Sequence, residues 1–476
     1  MAHTHLPPRV VAPLRSMPPP ALLPTFQSPS ELMGAGKKLR ETVPRASHGV
    51  WEKPSGRADP IETLQKSDAD RMPELVPVRY GRMLVSPFTF YRGAAGIMAG
   101  DLATTPTTGL RVQACGDCHL LNFGGFATPE RNIIFDINDF DETLPAPWEW
   151  DVKRLAASFV LAARSNGLSD DDGCAAAVAA TGSYRKRLAA YAGMSPLQVW
   201  YESIDTEDYL SLGIDPALKK RIKRRIANAI KRSSGSELDY PQLAGMISGQ
   251  IHIRDAPPLI FHPEIAREPD FMVRLAAVLE TYRKTLPEER RVLLDRYRLV
   301  DAAIKVVGIG SVGSRCWIAL FMSAGNAPLF LQVKEARASV LEPYAGHSLH
   351  PHHGQRVVIG QRLMQPASDV FLAWLNGENG RQFYARQLRD AKVKPLVETF
   401  DAEAMLVYAK ACGWALARSH AKAGETWSIS GYLGRSDAFD IAMGRFALAY
   451  ADQAEADHAA LKRAVRAGKV QVLQED

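Results

Sequence analysis

Two short polar stretches carry the residue types that phosphoryl transfer needs. The first is Gly116-Asp117-Cys118-His119-Leu120-Leu121-Asn122, and the second is Phe135-Asp136-Ile137-Asn138-Asp139-Phe140-Asp141-Glu142. Moving a phosphoryl group onto a hydroxyl requires a carboxylate that receives or orients the acceptor. It also requires an amide and a second carboxylate that hold Mg2+ on the nucleotide phosphates. Asp117 suits the first role. Asn122, five residues on, suits the second together with Asp139 or Asp136, which lie 17 and 14 residues further along. Asp139 is preferred and Asp136 is the runner-up, because strand alternation turns only one of two positions three apart toward a given face. The competing reading is a polar turn in which Asp117 and Asn122 only cap backbone amides.

A third signal is Gly308-Ile309-Gly310-Ser311-Val312-Gly313, with Lys334 on the later run Leu331-Gln332-Val333-Lys334-Glu335. Such a glycine pattern serves two mechanisms. In a dinucleotide turn, a helix follows and an acidic residue comes about 20 positions on; in a loop over ATP phosphates, a hairpin follows and delivers a lysine. Here residues 317–322 are continuously apolar, Gly325-Asn326 is turn chemistry, and the next run ends in Lys334. The continuation favours the second mechanism, with Gly308, Gly310, Ser311, Gly313 and Lys334 around the phosphates, and a purely structural hairpin stays open. Glu342 is the nearest glutamate able to orient the lysine. Residues 361–365 would then run toward the hinge that receives adenine.

The five-residue step from Asp117 to Asn122 matches the step from catalytic aspartate to metal-binding asparagine in kinases. The loop resembles that of kinase-like phosphotransferases of the aminoglycoside and choline kinase type, which reads His-Gly-Asp-x-His-x-x-Asn, although position 115 is Cys instead of His. Trp150-Asp151-Val152 is similar to the helix start that supports this loop, which implies a structural hydrogen-bonding role for Asp151. The resemblance implies an ATP- and Mg2+-dependent phosphotransferase acting on a hydroxyl. Two alternatives use the same parts: adenylyl transfer, and a nucleotide-binding regulatory protein without turnover.

In ordinary kinases the glycine loop and lysine come first, whereas here the Asp/Asn loop precedes them. The expected fold is therefore α+β, a two-lobe kinase-like architecture in circularly permuted order, with a mainly helical lobe and a small antiparallel-sheet nucleotide lobe. Over residues 75–460 the chain also resembles the bacterial family called domain of unknown function 2252. The matching stretches include Tyr80-Gly81-Arg82-Met83, residues 87–93, 116–124 and 135–142, Gly360-Gln361-Arg362 and Tyr450-Ala451-Asp452-Gln453.

The elements that must position these residues follow from apolar spacing. Val152, Leu155, Phe159 and Ala162 predict a helix with Asp151 in its first turn, and further helix is expected over 169–232. Residues 86–91 read as a strand, and 300–335 as three strands with a hairpin. Met405, Tyr408, Cys412 and Ala415 mark a helix ending near Gly424, and Phe439, Met443, Phe446 and Tyr450 mark another. The expected organisation is a Pro-rich, largely disordered segment 1–72, a helical lobe 73–299, a nucleotide lobe 300–378 and closing helices 379–476.

Composition bounds the rest. At 476 residues, with 46% hydrophobic and 23% charged residues, the chain is globular and large enough for roughly two to three domains. No run reaches the roughly 18 apolar residues of a membrane span, and early prolines interrupt any export signal. Five widely spaced cysteines form no disulfide framework, so the cytoplasm is the expected compartment. Of the net charge of +6, residues 1–60 supply +4 (eight Lys/Arg against four Asp/Glu), so the nearly neutral body argues against nucleic acid as a partner.

Other signals are set aside on chemical grounds. Cys115-Gly116-Asp117-Cys118-His119 has the spelling of a haem attachment site, but no export signal accompanies it. Residues 136–141 begin like a calcium loop and then lack its glycine. His347, His350, His352 and His353 read as a solvated loop, with a metal site as the alternative. Residues 219–232, with eight basic residues, read as a surface helix, with a basic acceptor or partner site as the alternative. The acceptor and the oligomeric state leave no readable spacing.

Overall fold

The computed structural model describes residues 27–212, 216, 219, 220, 222–224, 226, 227, 243–247, 250–388 and 392–473. Half of the basic stretch 219–232, namely 221, 225 and 228–232, lies outside them.

The helical body is built from four long helices: Trp148–Ser165, Asp170–Tyr191, Ala402–Ala423 and Ala438–Arg466. Ser169 starts the second with a reciprocal cap to Asp172, and three aspartates in its first turn complement the helix dipole. Inside, the Trp148 ring stacks parallel to Tyr184 at 5.8 Å, and its Nε1 donates to Thr108 Oγ1 at 3.0 Å, so the large ring leaves no buried donor unpaired.

The described strands, in chain order, are β1 (Arg111–Ala114), β2 (Phe123–Ala127), β3 (Ile133–Ile137), β4 (Leu144–Pro147), β5 (Ala244–Ile247), β6 (Gln250–Ile253) and β7 (Ile260–Phe261). After them come β8 (Tyr297–Lys305), β9 (Cys316–Ser323), β10 (Pro328–Glu335), β11 (Ala373–Asn376), β12 (Gln382–Gln387) and β13 (Lys392–Val393). The main sheet has the order β11-β12-β10-β9-β8-β7, antiparallel throughout. Its outer face packs Leu331, Val333 and Phe383 against Tyr282 of the helix Phe271–Thr285. The helix His353–Met364 lies between β10 and β11 in the chain and packs on β11 and β12. Two small antiparallel pairings, β1 with β4 and β2 with β3, sit beside the helical body and carry the two polar stretches. The chain is thus α+β with antiparallel sheets.

Three expectations are corrected. Ordered structure begins well before residue 73, with the helices Pro29–Thr42 and Pro60–Asp68. Pro29 and Pro60 follow the capping residues Ser28 and Asp59, so these prolines start helices instead of breaking them. Residues 86–91 are no strand: Ser86 Oγ accepts from the Thr89 backbone N–H at 3.1 Å and opens the helix Pro87–Gly93, a local cap that outweighs the aromatic run. Residues 361–365, expected to run toward an adenine hinge, instead close the helix His353–Met364, and Gln365 Nε2 donates to Ile137 O at 2.7 Å.

The N-terminal helices pack on the end of the C-terminal helix. Leu64, Met83, Phe90, Ile97 and Leu461 form one apolar cluster that also takes in Ile309 of the glycine turn. Arg57 sits between Asp101, at 2.7 Å, and Asp457, at 2.6 Å.

Candidate functional site

The first polar stretch leaves β1 and turns at Gly116, where φ is +84° and a Cβ would lie 2.3 Å from Glu142 O; only glycine fits. Asp151, in the first turn of Trp148–Ser165, fixes this turn. Its Oδ2 accepts from Cys115 N at 2.6 Å and its Oδ1 from Gly116 N at 3.0 Å. His420 Nε2 lies 3.2 Å from Asp151 Oδ2, and its Nδ1 lies 3.0 Å from Tyr184 Oη. Asp151 thus has the structural hydrogen-bonding role expected of it, and His420 and Tyr184 extend its network.

Asp117 is held next. Arg154 Nε donates to its Oδ1 at 2.7 Å, and the guanidinium carbon lies 4.4 Å from the centre of the Tyr91 ring. Asp117 Oδ2 lies 3.9 Å from His119 Nε2. Burial, with Arg92 and Arg154 nearby, pushes the His119 pKa well down, so the imidazole is neutral. Asn122 Nδ2 donates to the Asp117 backbone carbonyl at 2.6 Å, which sets the amide plane from the same loop.

The second stretch separates its carboxylates. Asp136, on β3, is fully buried: Arg418 Nη2 donates to Oδ2 at 2.5 Å and Ile137 N to Oδ1 at 2.8 Å. Burial pushes its pKa up to about 6 against the pull of Arg418. It is an interior ion pair and lines no part of the cavity described below. Asp139 lies beyond the strand end with its side chain 37% exposed. Burial of the surrounding loop and the neighbouring Asp141 push its carboxyl up, while Lys334 pulls it down.

Asp141 meets Lys334 Nζ at 2.5 Å and Tyr384 Oη, which donates, at 2.6 Å. Burial alone would raise its pKa, but Lys334 and these hydrogen bonds hold it down at about 2. Glu342, expected to orient Lys334, instead accepts from Ser339 N at 3.3 Å and faces His347. The partner of Lys334 is Asp141, with Asp139 Oδ1 3.9 Å away. One signal in the sequence points to it: Asp139 and Asp141 are two apart, the spacing that puts side chains on one side of extended backbone.

The glycine turn joins β8 to β9, which pair antiparallel, so no helix follows and a dinucleotide turn is excluded. Gly308 and Gly313 have φ of +68° and +85°. The turn is tied down from the N-terminal side: Arg82 donates to Gly308 O, Arg71 to Val312 O, and Met72 N to Gly313 O at 2.7 Å. Ser311 Oγ lies 3.3 Å from Asp141 Oδ2.

These segments share one cavity of about 340 Å³. Asp117, Asn122, Asp139 and Asp141 line it together with Gly308, Gly310 and Ser311 of the glycine turn and with Arg71, Arg79, Arg92 and Arg337. Sequence reasoning missed all four arginines and Arg154, because nothing local marks which arginine points inward. Among the described residues no group of three or more His, Cys, Asp or Glu side chains forms a metal cage. His352 caps its helix, its Nδ1 accepting from Gln355 N at 3.2 Å, and the five cysteines are free thiols.

A mixed α+β protein with a polar cavity between helical body and antiparallel sheet is thus defined. Residues 71–464 match the family described as an uncharacterized protein conserved in bacteria, domain of unknown function 2252, and the chain belongs to that family. Neither the curated proteins nor the solved structures gave a match. Among the described residues no helix is long and apolar enough to cross a membrane.

Proposed function

We propose that the chain is an ATP- and Mg2+-dependent phosphotransferase acting on an acceptor hydroxyl, with a kinase-like fold in circularly permuted order. One observation carries this reading: Asp117, Asn122 and Asp139 line the same cavity as the glycine turn, which lies far along the chain, and Lys334 bonds to Asp141 of that lining across 193 positions of sequence. The order of elements supports it as well. A three-strand meander carries the glycine turn and then Lys334; a helix follows; and β12 returns beside β10. Kinases place their glycine loop, lysine and αC helix in this succession.

The donors suit Mg2+. This ion keeps several waters and is held by one or two carboxylates together with substrate phosphates, so Asn122 and Asp139 suffice without a protein cage. Lys334 and the backbone N–H groups of the glycine turn would neutralise and cradle the phosphates. Asp117 has its Oδ1 on Arg154, which leaves Oδ2 toward the acceptor. The acceptor oxygen forms its bond to the γ-phosphorus as the bond from that phosphorus to the bridging oxygen breaks. The hydroxyl proton passes to Asp117 and ADP leaves.

A second reading, nucleotide binding without turnover, is favoured by the engagement of Lys334 with Asp141 instead of a helix glutamate. Thermal melting with ATP and Mg2+ tests the site, since a ligand of the native state raises its apparent stability. Wild type and Asp136→Asn are expected to shift upward, while Asp139→Ala and Lys334→Ala shift little. No shift in wild type at millimolar ATP refutes the site. ATP consumption abolished by Asp117→Asn distinguishes transfer from binding alone.

A further inference from the structure

The cavity brings both signs of charge together. Asp117, Asp139, Asp141 and Glu142 line it along with Arg71, Arg79, Arg92 and Arg337. Arg71 and Arg79 share one carboxylate, Asp68, at 3.3 and 2.7 Å, and spend further donors on Val312 O and Gly93 O. Arg92 and Arg337 have no such provision. Neither guanidinium makes a hydrogen bond or ion pair among the described residues, and Arg92 Nε is buried without a partner. Arg337 is close enough to Arg71 and Arg79 to be repelled by both. Gathering unpaired guanidiniums in a partly buried cavity is unfavourable until an anion joins them, and their planar forks suit phosphate or carboxylate oxygens.

Which anion they serve follows from position. On the reading above, Lys334, the glycine turn and Mg2+ already provide for the nucleotide phosphates. Arg92 stands beside the reacting carboxylate instead: the preceding residue, Tyr91, underlies Arg154, and Asp117 acts electrostatically on the Arg92 guanidinium. We propose that the acceptor is itself an anion, an alcohol bearing a phosphate or carboxylate group that Arg92 and Arg337 grip while its hydroxyl faces Asp117. This rests on the phosphotransferase reading. It reverses the sign of the acceptors named in the resemblance, since these two guanidiniums would repel the cationic group of a polyamine sugar or a quaternary ammonium alcohol.

The test uses the full chain saturated with Mg2+ and a non-hydrolysable ATP analogue, into which inorganic phosphate is titrated by calorimetry. Phosphate is expected to bind alongside the nucleotide, and Arg92→Ala and Arg337→Ala should each weaken it by about tenfold or more, the loss of a charge-assisted hydrogen bond. Nucleotide affinity should stay unchanged, and Arg92→Lys should retain part of the phosphate binding. Phosphate displaced by the analogue, or arginine variants that lose the nucleotide, would give these arginines to ATP; the proposal then fails while the phosphotransferase reading survives. Wild type that binds no nucleotide ends both. ATP consumption with phosphate-bearing, carboxylate-bearing, neutral and amine-bearing alcohols supplies the second arm. Turnover is expected with one of the first two, which identifies the group, and turnover confined to neutral or amine-bearing alcohols overturns the proposal.

Discussion

Lys334 Nζ lies 2.5 Å from Asp141 Oδ2, joining the end of β10 to the polar stretch after β3 across 193 positions of sequence. With side chains 4% and 26% exposed, the two charges are largely out of water, and each depends on the other. The pair fastens the sheet to the polar stretch that follows β3, and its Asp141 lines the cavity.

Lys334→Ala and Asp141→Ala should each destabilise the fold by about 3 kcal/mol, because either leaves a buried charge uncompensated. The double variant should cost clearly less than the sum. Denaturant unfolding of the four proteins measures this, and additivity within about 0.5 kcal/mol would mean that the two residues act independently.

The same pair sets an acid limb. Asp141 is held down at about 2, below its ordinary value, so its contribution is full above roughly pH 4 and is lost as pH falls toward 2. Stability of wild type relative to Asp141→Asn should shrink by about 2 kcal/mol over that interval. Asp136 runs the other way: pushed up to about 6, it holds its proton better when folded, and its contribution declines as pH rises from roughly 4 to 6. Chemical denaturation at several pH values separates the two limbs, and a wild-type acid limb unchanged in Asp141→Asn would contradict the first.

Two glycines with positive φ should respond differently to alanine. Gly308 has open space where a Cβ would go, so Gly308→Ala should cost only the backbone strain, about 1–2 kcal/mol. At Gly116 the added carbon meets the Glu142 carbonyl, and Gly116→Ala should cost more than about 4 kcal/mol or prevent folding. Equal melting temperatures for the two variants would refute the tight approach of this loop to Glu142.

What was legible in the sequence is what is local. The step from Asp117 to Asn122, the turn-rich hairpin before Lys334, the helix carrying Asp151 and the helix ending at Gly424 all depend on neighbours a few residues away, and spacing reports them. Other features depend on partners far along the chain. Lys334 has a glutamate eight residues on, yet its partner is Asp141; Asp136 has the right type for a metal site, yet Arg418 claims it in the interior. Arg92 and Arg337 look like any surface arginines until the fold turns them inward. The strand expected at 86–91 failed for a local reason, since Ser86 and Thr89 form a reciprocal cap, and that signal was available.

Arg57 joins stretches that are far apart in the chain. Its guanidinium bonds Asp101 and Asp457, and the helix carrying Asp457 also supplies Leu461 to the cluster that takes in Ile309. The glycine turn therefore rests on contacts drawn from both sides of it in sequence, Leu64 and Phe90 before and Leu461 after, so a break in the backbone far from the cavity would still loosen one of its edges.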